Sequence, residues 1–129
     1  MNITIDTSAL IAVIANEPKK SRIVQLTVDA SLLAPFSVYW EIGNAFSAML
    51  KRNRVTSKQV QSCIALYQQI PLKFVDVNLS KTIDLVEQLQ IYAYDAYLIQ
   101  CALQTNTPLL TLDAGLIQAA KVVGITILE

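Results

Sequence analysis

Ten carboxylates and no histidine define the chemistry open to this chain. Without imidazole there is no histidine general base, no usual zinc ligand and no Ser-His or Cys-His nucleophile. Carboxylates, hydroxyls, a lysine or a bound cation remain. Four of the acids stand apart by position. Asp6 and Asp113 each directly follow a short apolar run that reads as a strand, and ligands of open α/β sheets bind outside the carboxyl ends of strands. Glu41 falls in helical register with Val38, Ile42, Ala45, Ala48 and Met49, and Asp95 with Leu98, Ile99 and Ala102. An acid on a buried stripe must be paired, protonated or metal-bound. Each has a plainer reading as well: Asp6 and Asp113 as N-caps, Glu41 and Asp95 as helix-start acids that suit the dipole. Four such placements together favour one converged, metal-binding catalytic cluster of Asp6, Glu41, Asp95 and Asp113.

Four close carboxylates repel unless one takes up a proton or a cation neutralises them. An all-oxygen donor set points to Mg²⁺ or Mn²⁺ and away from zinc. Such ions activate water and stabilise a leaving oxygen, which suits phosphodiester hydrolysis. Thr7, Ser8 and Thr111 adjoin Asp6 and Asp113. Their hydroxyls either support metal-bound water and the carboxylates or serve only as cap and strand residues.

The other six acids are blander. Asp84 and Glu87 share a polar stripe with Lys81 and Gln88, opposite an apolar stripe of Leu79, Ile83, Val86 and Leu89. Glu17, Asp29 and Glu129 sit at element ends. Asp76 follows a predicted strand and is either a cap or a fifth acid at the edge of the site.

Elements able to position these groups alternate along the chain. Strands are expected at 2–5, 31–35, 71–77, 108–112 and 125–128. Helices are expected at 9–15, 19–29, 38–51, 57–69, 79–90, 95–104 and 114–121. Ser37 is a plausible cap for the third helix, and Thr56 with Gln59 resembles a capping box. Short apolar strands separated by helices imply an α/β fold, with a parallel sheet of about five strands covered on both faces. The 129 residues fit one domain, 1–129, and 53% hydrophobic content supports a real core.

Ten basic residues balance the ten acids, so any nucleic-acid contact must come from a local patch. Cys63 and Cys101 are far apart and fall in apolar helical stretches, which suggests buried structural thiols in a reducing compartment. No run reaches the roughly 18 apolar residues of a membrane span. The apolar run 9–15 lacks the basic flank of a signal peptide. A cytoplasmic protein with no membrane partner is expected.

The motifs around the four acids resemble those of PIN-domain ribonucleases, and most closely the small VapC-type toxins of toxin-antitoxin pairs. Ile5-Asp6-Thr7-Ser8 matches the first acidic motif of that family. Trp40-Glu41-Ile42-Gly43-Asn44-Ala45 matches the second, Tyr94-Asp95-Ala96-Tyr97 with Ala102 the third, and Leu110-Thr111-Leu112-Asp113 the fourth. The resemblance spans nearly the whole chain in the right order. It implies a Rossmann-like sheet, Mg²⁺- or Mn²⁺-dependent endonucleolytic cleavage of RNA, a homodimer, and a cognate antitoxin whose C-terminal segment blocks the site. Neutral overall charge is less typical of such a protein.

For RNA contact the residues offer Lys51, Arg52 and Arg54, which equally suit a helix C-terminus. Tyr39, Trp40, Tyr92, Tyr94 and Tyr97 flank two of the acids and either stack on bases or pack in a core or dimer. Two other functions compete. A phospho-acceptor or phosphatase domain also places acids at strand ends, but position 8 is Ser where a phosphatase usually has a second Asp. A catalytically silent binding module is disfavoured because all four acids are present.

Overall fold

The computed structural model describes residues 1–129. Four strands form one parallel sheet: β1 (Asn2–Ile5), β2 (Ser31–Pro35), β3 (Leu72–Val75) and β4 (Leu109–Leu110), in the order β3-β2-β1-β4. Seven helices connect and flank them: α1 (Thr7–Ile14), α2 (Lys20–Thr27), α3 (Ser37–Lys51), α4 (Ser57–Gln69), α5 (Leu79–Leu89), α6 (Ala93–Thr105) and α7 (Ala114–Val122). None of them is long and apolar enough to cross a membrane.

The central strand β1 pairs Ile3 with Leu32 on one side and Ile5 with Leu110 on the other. Ile3, Thr4 and Ile5 are all buried, as expected for a strand covered on both faces. The core is continuous around them. Leu10 and Ala12 of α1, Val38, Ile42 and Phe46 of α3, and Ile99 and Ala102 of α6 all join it.

The expected fifth strand reduces to one bridge, Leu109 to Ile127. The partner strand is itself short. Pro108 has no N–H to give a ladder, and after Leu110 the Thr111 hydroxyl and the Asp113 cap turn the chain into α7.

Capping explains most helix starts. Thr56 and Gln59 form the expected capping box, at 3.1 Å and 2.8 Å. Ser37, by contrast, is not a cap. Phe36 already has helical dihedrals, and its carbonyl accepts from the Tyr39 N–H at 3.1 Å, so α3 springs directly from a tight turn. The Ser37 hydroxyl is left buried without a hydrogen-bond partner.

In α5 the buried residues are Thr82 and Leu85, whereas Leu79 and Ile83 of the expected apolar stripe are exposed. The face is rotated because the Thr82 hydroxyl donates to the Asn78 carbonyl at 2.8 Å and lies inward. Asp84 and Glu87 are exposed, as expected. Cys101 is buried, while Cys63 is only half-buried; both are free thiols.

Candidate active site

Asp6 ends β1 and caps α1, its Oδ1 accepting from the Ala9 N–H at 3.0 Å. Asp113 follows β4 and caps α7, its Oδ1 accepting from the Leu116 N–H at 3.0 Å. The cap reading holds for both, and capping occupies one oxygen of Asp113, which also lines the acid cleft. β1 and β4 are neighbours, so their carboxyl ends deliver the two acids side by side.

Glu41 comes from the second turn of α3 and Asp95 from the first turn of α6. Asp95 was expected to start its helix. The helix instead begins two residues earlier, because Tyr92 is extended and its carbonyl accepts from the Ala96 N–H at 3.2 Å. Both acids are half-buried. Leu98, Ile99 and Ala102 behind Asp95 are buried, and Val38 and Ile42 flank Glu41 in the core; Ala48, farther along, is exposed.

All four acids line a single cleft of about 450 Å³ at the carboxyl edge of the sheet. Their mutual repulsions close into a ring. The charge of Asp113 acts on Asp6 and on Asp95, and the charges of Asp6 and Asp95 act on Glu41. Burial is the largest effect, and it pushes the carboxyl groups of Asp6, Glu41 and Asp95 above their ordinary range.

Three hydroxyls oppose that push. Ser8 Oγ donates to Asp6 Oδ1 at 2.7 Å while accepting from the Leu112 N–H at 2.9 Å. Thr111 Oγ1 donates to Asp6 Oδ2 while accepting from the Asp113 N–H at 3.0 Å. Each hydroxyl thus relays a backbone amide of the β4–α7 turn onto Asp6, the most buried acid at 5% exposure. Thr7 Oγ1 donates to Glu41 Oε2 at 2.7 Å. The other oxygen of Glu41, Oε1, is buried with no partner at all.

The ring is open. No three acidic or cysteine side chains stand close enough together to enclose a metal ion by themselves, so the four acids share one cleft without forming a closed ligand cage. Ser8 and Thr111 hold Asp6 in place, and Thr7 holds Glu41. This arrangement still fits a hard divalent cation, because Mg²⁺ is typically held by one or two carboxylates and several waters. An orphaned buried carboxylate oxygen in an all-oxygen cleft is the feature such a cation satisfies.

Other expected residues lie elsewhere. Lys51, Arg52 and Arg54 are exposed at the far end of α3, and none lines the acid cleft. Ten residues of helix place Lys51 roughly 15 Å along the axis from Glu41. Asp76 does not line the cleft either; it is exposed, and its carbonyl accepts from Gln104 at 2.9 Å. Glu17 does line the cleft. It sits in the turn after α1, where no periodicity in the sequence marks it.

The PIN domain model matches residues 3–122, and the chain belongs to the PIN domain family. Its structure is similar to that of VapBC2 from Rickettsia felis, solved bound to a DNA fragment from their promoter, at 16% identity and TM-score 0.68, covering 99% of this chain and 98% of that one. It is similar to VapC20 from Mycobacterium tuberculosis, a Sarcin-Ricin loop cleaving toxin, at 13% identity and TM-score 0.67, covering 98% of each chain. It also resembles VapBC-1 from nontypeable Haemophilus influenzae, at 20% identity and TM-score 0.65, covering 100% of this chain and 98% of that one. No curated protein matches the chain significantly.

Proposed function

We propose that this PIN domain is a Mg²⁺- or Mn²⁺-dependent endoribonuclease and the toxin of a type II, VapBC-like toxin-antitoxin pair. The observation that carries the proposal is the ring of Asp6, Glu41, Asp95 and Asp113 lining one cleft at the carboxyl edge of the sheet. The structural likeness to a toxin that cleaves the Sarcin-Ricin loop supports RNA as the substrate. Likeness to VapBC proteins supports an antitoxin partner.

Within the ring of Asp6, Glu41, Asp95 and Asp113, one or two carboxylates would bind the cation directly and the others through its waters, with the unpartnered Oε1 of Glu41 its readiest ligand. The bound ion would lower the pKa of a water and offset charge on the leaving oxygen. Ser8 and Thr111 fix Asp6 and favour its charged form against the effect of burial, and Thr7 does the same for Glu41. Apolar walls from Ile11, Leu98 and Leu116 lower the local dielectric, which strengthens each of these interactions. Lys51, Arg52 and Arg54 would reach only RNA that extends well beyond the cleft.

A homodimer and a cytoplasmic location complete the proposal. Position 8 gives no second acid for phosphatase chemistry, since Ser8 is bonded to Asp6. The test is endonucleolytic cleavage of RNA by purified protein with Mg²⁺ or Mn²⁺, its arrest by EDTA, and its loss in Glu41→Gln and Asp95→Asn. Cleavage that persists in EDTA overturns the metal-dependent reading.

A further inference from the structure

The carboxyl edge of the sheet carries a second cleft beside the acids. It opens at the ends of β2 and β3, has a volume of about 340 Å³, and is walled by Phe36, Trp40, Tyr94 and Tyr97. Phe36, Trp40 and Tyr94 are 58%, 64% and 49% exposed, so these rings are not core residues. Ser37 lies at its floor, 8% exposed, with a hydroxyl that has no hydrogen-bond partner. Asp76 stands at the rim.

The two clefts share their walls. On α3, Glu41 lines the acid cleft and the adjacent Trp40 lines the aromatic one. On α6, Asp95 lines the acid cleft while Tyr94 and Tyr97 line the aromatic one. Strand spacing of about 4.8 Å puts the ends of β2 and β3 one or two strands from Asp6, a span that neighbouring nucleotides of one RNA strand bridge.

We propose that this aromatic cleft is a subsite for an unpaired nucleobase next to the phosphodiester cut at the acid cleft; its ligand class rests on the ribonuclease reading above. The lining contains no lysine or arginine, and Asp76 repels phosphate. The cleft therefore suits a flat, neutral base and not the backbone. Trp40 and Tyr94 offer ring faces on which a base stacks. Asp76 at the rim offers a carboxylate to the polar edge of the base.

Trp40 is the only tryptophan in the chain. It lines both this cleft and the apolar groove between α3 and α4, so its emission is read together with the Tyr94 variants, which touch this cleft alone. Wild-type protein in EDTA is titrated with a short single-stranded oligoadenylate and with an abasic ribose-phosphate oligomer of equal length. Oligoadenylate should quench Trp40 saturably, and the abasic oligomer should not. Tyr94→Ala should weaken binding about tenfold, with Tyr94→Phe near wild type. Equal binding of the abasic oligomer, or an unchanged Trp40 emission with oligoadenylate, overturns the subsite. So does emission that responds only to protein dilution, which would make this face a contact between two copies. Cleavage with Mg²⁺ in the same preparation separates the two proposals. RNA cut while Trp40 stays silent removes the subsite alone, and quenching without cutting supports the subsite while removing the nuclease.

Discussion

The Thr7 hydroxyl donates to Oε2 of Glu41 at 2.7 Å, which ties the first turn of α1 to α3 across the acid cleft. The bond fixes one carboxylate oxygen and leaves the other, Oε1, buried and unpartnered. Thr7→Val keeps the shape of the side chain and removes the donor. Glu41 then loses the one interaction that favours its charged form, so its pKa should climb further. We expect RNA cleavage to fall about tenfold near neutral pH, with partial recovery at higher pH. A pH profile identical to that of wild type would show that Thr7 only helps to start the helix.

Thr111 carries a larger share of stability. It is 3% exposed and joins Asp6 to the N–H of Asp113. Thr111→Val leaves a buried carboxylate short of a donor and a backbone amide without its acceptor. The expected cost is about 1–3 kcal/mol, read as a lower midpoint in urea. Ser8→Ala should cost less, because the Ser8 hydroxyl is only partly buried.

The pH dependence of the metal-free protein follows from three raised carboxyl groups. Asp6, Glu41 and Asp95 bind protons more tightly folded than unfolded, chiefly because they are desolvated. Their contribution is full below the ordinary values of 3.8 and 4.5 and is lost as pH rises through the higher folded values. In EDTA the melting temperature should therefore fall as pH is raised from about 4 to about 7. Asp6→Asn should blunt that fall and melt higher than wild type at neutral pH, since an amide can still cap α1. A melting temperature that climbs steadily with pH would contradict the repulsive ring.

Cation binding should reverse the penalty. Saturating Mg²⁺ or Mn²⁺ stabilises the folded chain by mass action, by about 2.7 kcal/mol at about a hundredfold excess over Kd. The shift should grow as pH rises and the raised carboxyl groups of Asp6, Glu41 and Asp95 give up their protons, and it should be small in Asp95→Asn. Thermal denaturation with each ion, and with Ca²⁺ as a control, checks this.

Much of this architecture is legible in the sequence because the signals are local. The capping box at Thr56 and Gln59, the apolar runs of β1 and β2, and the stripe behind Asp95 all follow from neighbouring residues. The placement of four acids around one cleft follows from strand ends and helix faces. What escapes depends on tertiary context. The helical turn at Phe36 displaces Ser37 from its cap, inward Thr82 rotates α5, and the last strand shrinks to a bridge because β4 is too short to pair it. Nor could the sequence separate a tight cluster from an open ring, since that difference rests on which hydroxyl each carboxylate meets. Glu17 lines the cleft only because the chain turns back after α1.

The central claim is that Asp6, Glu41, Asp95 and Asp113 form one cation-dependent RNA-cutting site. Its most direct test is cleavage of single-stranded RNA by the wild-type chain and by Asp6→Asn, side by side, in Mg²⁺ or Mn²⁺. The wild type should cut, and Asp6→Asn should fold, melt no lower without metal, and leave the RNA intact. An Asp6→Asn protein that cuts at the wild-type rate, or a folded wild type that cuts with neither ion, would contradict the account.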